Sequence, residues 1–317
     1  MGGSFACAIL YVIYFFNHSF LLLALVSLVY AVVYTLRVTT FDILVKDNSL
    51  RRKLAGNVGL LYALSAGMWV AGPLIAAFIS NNYGINYLFL ASFFLLVTGF
   101  TYFGFLGIKD ENHKYRVDKS FFKNFRAFFR RKDRLKAYVL GGSINLWWVL
   151  IYLFMPLYII RSGLDLSIVG IFLFLYAIPY AIMDYPAGIL AGRHGYKKIF
   201  KVGFFITAFF GILCFFLTGN PYLVMASLVL SSFGTSLLEG NTESYFLDLV
   251  NRKEELRYYG PYNTAIDAGA FVGKVIPSVI LFILPLNYIF LFFGIMMFLM
   301  FLLTFSIKNK YESRMKD

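Results

Sequence analysis

Ionisable side chains inside long apolar stretches are costly, so the few that occur are the first places to look for chemistry. In this chain they are Arg37, Glu239, Glu243, Asp267 and Lys274. Glu239 and Glu243 stand one helical turn apart, and Asp267 and Lys274 two turns apart, so each pair shares one face of a helix. Arg37 extends a face that also carries Tyr30 and Tyr34. A further apolar stretch holds Asn145, Trp147, Trp148 and Tyr152. A carboxylate withdrawn from water binds its proton more firmly, so an acid in such a place can exchange protons near neutral pH. Plainer roles compete with this one. Glu239 and Glu243 at a wet helix end would pair with loop arginines, Asp267 and Lys274 would make structural ion pairs, and the tryptophans would fill space.

Other chemistries lack their residues. There is no G-x-x-x-x-G-K-[ST] phosphate loop and no G-x-S-x-G nucleophile elbow. His18, His113 and His194 form no pair with metal-ligand spacing. Asp42 and Asp47 are too isolated for a metal-diphosphate site. Neither an enzyme, nor a bound metal, nor a cofactor is expected.

The elements that must position these groups follow from composition. Of 317 residues, 60% are hydrophobic and 14% charged, with a mean hydropathy of +0.73. A soluble domain needs more polar surface than this. The apolar residues fall in blocks such as 86–108, near the roughly 20 residues a helix needs to cross a bilayer. Ten spans are expected, at 3–17, 20–43, 57–79, 86–108, 137–160, 167–188, 199–217, 221–241, 259–283 and 287–307. No short alternating strands of a membrane barrel occur. Cys7 and Cys214 lie in apolar runs and read as packing residues. Residues 1–19 lack the basic start and cleavage site of a signal peptide.

The net charge of +13 is no sign of nucleic-acid binding, because the basic residues occupy alternate loops. They gather at Lys46 and Arg51–Lys53, between Lys109 and Lys136, from Arg193 to Lys201, at Arg252, Lys253 and Arg257, and after Lys308. The intervening loops carry Arg161 alone. This positive-inside pattern places both termini in the cytoplasm, which agrees with an even number of spans in the cell membrane. Within 115–136, Phe121, Phe122, Phe125, Phe128 and Phe129 recur at helical spacing opposite Lys119, Lys123, Arg126 and Arg130. That pattern reads as a basic amphipathic helix at the inner leaflet, or else as a solvated linker.

Residues 184–198, in the expected loop after the sixth span, bring a family into view. Pro186, Gly188, Leu190, Ala191, Arg193, Gly195, Lys197 and Lys198 resemble the signature P-x-G-x-L-A-D-R-x-G-x-K-K of the major facilitator superfamily. The match departs at Gly192, where the family has Asp. The family's acid–arginine gate therefore lacks its acid here, and Asp184 is the carboxylate that would substitute, at a different spacing. Segments 42–73 and 242–277 resemble the family's paired connections between spans four and five and between ten and eleven.

The resemblance implies an all-α, two-bundle membrane fold. It divides the chain into a partial N-terminal bundle at 1–108, a cytoplasmic linker at 109–136, a six-span bundle at 137–307 and a tail at 308–317. On this register the chain is expected to lack the family's first two spans. The second, fifth, eighth and ninth spans correspond to family spans four, seven, ten and eleven. Arg37, Asn145, Trp148, Glu239, Glu243, Asp267 and Lys274 would then face a central path for a small solute and its coupling ion, a proton. The implied activity is secondary transport by alternating access. The alternative is a truncated, transport-incompetent relative serving as a membrane partner. Substrate and oligomeric state are open at this stage.

Overall fold

A computed structural model describes residues 2–17, 19–47, 54–105, 121–250 and 252–307. Arg51–Lys53, residues 109–120 of the expected linker, His18, His113 and the tail 308–317 lie outside the described residues, as does the side chain of Asp42. All secondary structure among the described residues is helical. This follows from the composition: a chain this apolar must satisfy its backbone within each segment, and a helix does so. Among the described residues, seven helices are long and apolar enough to cross a membrane, and two further apolar helices are shorter.

The chain forms two compact units, 1–116 and 117–317. In the first, α1 (Gly2–Phe16) packs against α2 (Phe20–Asp47) and α4 (Asn86–Phe105), with α3 (Leu54–Tyr83) between α2 and α4 in the chain. Among the described residues its buried apolar side chains are Cys7, Ala8, Leu10, Tyr14 and Val26. Tyr14 stacks on Phe89 at 5.0 Å and donates to Ser27 Oγ at 2.9 Å, while the hydroxyls of Tyr11 and Tyr30 meet at 2.7 Å.

The second unit begins with α5 (Phe121–Phe129) and α6 (Lys132–Val149), which continues through a π turn (Leu150–Phe154) into α7 (Met155–Arg161). Then come α8 (Leu166–His194), α9 (Tyr196–Leu217), α10 (Pro221–Ser236), α11 (Glu239–Leu249), α12 (Arg252–Ile283) and α13 (Tyr288–Thr304). Local chemistry marks the starts. Asp165 caps α8 by accepting from Ser167 N at 2.8 Å. Asn220 caps α10 by accepting from Tyr222 N, with Pro221 in the first turn, where its missing N–H has no cost.

Glycine sets the tightest contacts in this unit. α6 meets α12 where Gly142 faces Gly269; a Cβ on Gly269 would collide with the Gly142 carbonyl oxygen. One turn on, Gly273 lies against Leu146 O and Val149. The G-x-x-x-G at 269–273 thus serves close helix packing. α9 is gripped on two sides: Gly203 faces Gly234 of α10, and Gly211 faces Gly294 of α13.

Three expectations change. Residues 184–194 are not a loop, because α8 stays helical through His194 and the turn to α9 is Gly195 alone, at φ 80°. That left-handed value suits glycine and few other residues. The helix of the eighth expected span does not end at 241, because α11 resumes after Leu237–Leu238 and runs to Leu249, so Glu239 and Glu243 lie on a helix that continues past them. The aromatic side of α5 is turned onto its own unit: Phe128 is fully buried against Phe246 and Tyr258, and Asn124 accepts from Arg257 Nε.

Candidate functional site

The site is built where two long helices lose regularity. The segment Pro221–Leu249 breaks at Leu237–Leu238, so Glu239 sits at the first turn of α11, where free backbone N–H groups favour a carboxylate. Opposite it, α6 passes into the π turn. The extra residue of a π turn shifts the helix phase, a feature often found at functional positions. Trp148, just before the π turn, stacks on Tyr152 within it at 5.2 Å. Trp148 Nε1 donates to Glu239 Oε2 at 3.0 Å and Oε1 at 3.3 Å.

An aromatic layer from α8 supports the pair. The Trp148 ring lies 5.7 Å from Tyr176, edge-on, and 5.1 Å from Tyr180. Trp147, fully buried, donates to Tyr176 Oη at 2.9 Å, and Tyr176 meets Thr235 Oγ1 at 3.2 Å. Trp147 therefore locks the layer in place, while its neighbour Trp148 reaches the acid. The Tyr180 hydroxyl is buried without a hydrogen-bond partner.

On the other side of Glu239 lies a pocket of about 130 Å³ between α6, α11 and α12. Asn145, Glu239, Thr242, Glu243, Tyr262 and Asn263 give it polar walls; Gly141, Ile144, Ala265 and Ile266 complete them. Gly141 leaves room for Tyr262, since a Cβ there would stand 2.6 Å from the Tyr262 hydroxyl. Tyr262 is itself fixed by stacking on Phe246 at 4.0 Å. Glu243 accepts from Tyr259 Oη at 2.7 Å.

The structure therefore brings Asn145, Trp148, Glu239 and Glu243 together. Asp267 and Lys274 are exposed on α12, make no ion pair with each other, and are not among the pocket-lining residues, although Asn263 and Ile266 on the same helix are. Arg37 belongs to the first unit. Its guanidinium lies 5.5 Å above the Tyr34 ring, and its buried Nε has no hydrogen-bond partner. Sequence reasoning missed Tyr176, Tyr180 and Tyr262. The first two are four residues apart in α8, a spacing that places them on one face.

The motif residues lie elsewhere in this unit. Pro186 and Gly188 are inside α8, and Asp184 and Arg193 are both exposed and unpaired with each other. Lys197 Nζ donates to the Phe305 carbonyl at 2.8 Å, and Lys136 Nζ to the Ser306 carbonyl at 2.8 Å. Lys201 lies 3.9 Å over the Phe305 ring. These lysines satisfy carbonyls left free where α13 ends, and they complement its negative end. Lys198 is exposed.

Long apolar helices, a polar pocket at broken helices and basic residues at helix ends define an α-helical multi-pass integral membrane protein. The chain belongs to the major facilitator superfamily, whose family model matches residues 1–178 and again residues 148–316. It is 25% identical over 217 residues to an uncharacterized MFS-type transporter of Methanocaldococcus jannaschii, covering 67% of this chain and 55% of that protein. The match thus spans about half the length of that relative.

Proposed function

We propose that this chain is a secondary active transporter that moves a small solute across the cell membrane by alternating access, coupled to protons through Glu239. The distribution of lysine and arginine supports placing both termini in the cytoplasm. One observation carries the reading: the Glu239 carboxylate, held by Trp148 Nε1 at a break in a membrane helix, opens onto a polar pocket. Transporter sites are commonly built at discontinuous helices, where backbone groups and an ionisable side chain meet a cavity. Glu239 can exchange a proton from the pocket side while Trp148 keeps its orientation. Solute entering beside Asn145, Thr242 and Asn263 would alter that exchange, which is the minimum coupling demands.

The test uses the full chain in proteoliposomes loaded with a pH-sensitive dye. Solutes that raise the melting temperature of the purified protein, as a ligand of the folded state must, are then added outside. The expected result is solute-dependent movement of protons that is lost in Glu239→Gln. Solute flux with no proton movement, or full coupling in the variant, overturns the role of Glu239. No flux of any stabilising solute overturns the transport reading.

A further inference from the structure

We infer that the pocket beside Glu239 takes a small organic cation, with an ammonium group against Glu239 and Glu243 and its alkyl groups toward Tyr262, Ile144 and Ile266. This rests on the transport reading for the identity of the site and adds the class of solute.

The first argument is charge. The chain has 29 basic and 16 acidic residues, yet the pocket is lined by two carboxylates and by no lysine or arginine. An anionic solute would meet all of this negative charge in a poorly screened interior, where a charge pair interacts far more strongly than in water. A cation would meet the reverse.

Shape gives the second argument. Cavities of roughly 150 Å³ take up a molecule as large as benzene, so about 130 Å³ suits a headgroup of a few carbons around one nitrogen. The third is the neighbouring surface. Tyr262 is the aromatic side chain in the pocket wall, and its ring is held by stacking on Phe246 at 4.0 Å. Aromatic faces attract cations within about 6 Å of the ring centre. Such faces favour a weakly hydrated, alkylated ammonium over a small metal ion. The amides of Asn145 and Asn263 and the hydroxyl of Thr242 remain for a polar substituent on the solute.

The experiment is equilibrium binding to the full chain in detergent micelles. The probes are methylammonium, tetramethylammonium, choline and tetraethylammonium, with acetate and 3,3-dimethylbutan-1-ol, the uncharged carbon analogue of choline. We expect at least one ammonium probe to bind, acetate not to bind, and the carbon analogue to bind at least tenfold more weakly than choline. Glu239→Gln should weaken the ammonium probe at least tenfold and Glu239→Asp less. Trp148→Phe, which keeps a ring and removes the N–H, should retain part of the affinity. Equal binding of choline and its carbon analogue, binding of acetate, or no ammonium binding at millimolar concentration overturns the cation assignment. Each variant must elute as a single folded species, and Glu239→Asp reports on charge if Glu239→Gln does not fold. Binding in micelles needs neither flux nor a proton gradient, so this result stands apart from that of the proteoliposome experiment.

Discussion

Helix α6 presents two adjacent stripes that do opposite things. Gly142, Leu146 and Val149 face α12 and close against Gly269 and Gly273 with no room to spare. Gly141, Asn145 and Trp148 lie one residue earlier in each turn, about 100° around the helix, and face the pocket and Glu239. The closed stripe is held by backbone contact and dispersion, which tolerate no added atoms. The open stripe is polar, irregular and unfilled. A transporter site needs such a division, because the groups that change partner must hang on a seam that does not.

The largest effect should come from filling the closed stripe. Gly269→Ala places a methyl group against the Gly142 carbonyl, which is backbone and cannot swing away. Overpacking of this kind costs about 1–3 kcal/mol and more when backbone must move, so a loss of at least about 3 kcal/mol is expected. Unfolding in mixed micelles measures it. Wild-type stability in Gly269→Ala would show that α6 and α12 do not meet as described.

Trp147 lies on the face of α6 away from both stripes, against Tyr176, Gly211 and Phe293, and Trp147→Phe sharpens the contrast. The change removes the hydrogen bond to Tyr176 Oη and leaves that buried hydroxyl with Thr235 alone among its strong partners. It also leaves space beside Gly211, which the indole contacts. A lost buried hydrogen bond plus a small cavity gives about 2 kcal/mol. Solute affinity should fall as well, because the Tyr176 layer supports Trp148. A stability loss with unchanged affinity would detach the aromatic layer from the site.

How much of this was legible in the sequence depends on which force set each feature. Hydropathy gave the all-helical membrane class, because bilayer thickness and backbone satisfaction leave so apolar a chain no other choice, and among the described residues seven helices are long and apolar enough to cross. Burial cost named Glu239 along with Arg37, Glu243, Asp267 and Lys274 without separating them, and the family resemblance added Asn145 and Trp148. The G-x-x-x-G at 269–273 was readable, but its partner Gly141–Gly142 was not, since adjacent glycines carry no period. Pro156 stands two residues past the π turn and Gly240 two residues past the break at Leu237–Leu238, but apolar residues occupy both irregular turns, and prolines and glycines occur elsewhere in helices of this chain without such a break. The reach of Lys197 to Phe305 joins positions 108 residues apart, beyond any local pattern.

Smaller effects belong to the helix ends. Lys197→Ala removes one of the lysines on the carbonyls that end α13. Charge at a helix terminus is worth about 0.3–1 kcal/mol, and Lys136 remains on the adjacent carbonyl. A loss of about 0.5 kcal/mol is expected, reaching about 1 kcal/mol in the Lys136→Ala, Lys197→Ala double variant. Additivity would be the sign of two independent caps, whereas a much larger combined loss would mean that the end of α13 is held by the pair as a unit.

The smallest effect tests the comparison from its other side. If contact alone makes a glycine indispensable, then a glycine without contact should be replaceable, even within a family motif. Gly192 is such a position: it lies in the last turns of α8, and a Cβ there meets no heavy atom within 4 Å. Its backbone is helical, so no positive φ demands glycine, in contrast to Gly195 three residues on. Alanine is the better helix former by about 1 kcal/mol in exposed helices. Gly192→Ala should therefore leave stability unchanged within about 0.5 kcal/mol or raise it slightly, with solute binding unaltered. A loss on the scale expected of Gly269→Ala would mean that Gly192 is packed closely in the working protein, and that contact in this unit alone does not decide which glycines matter.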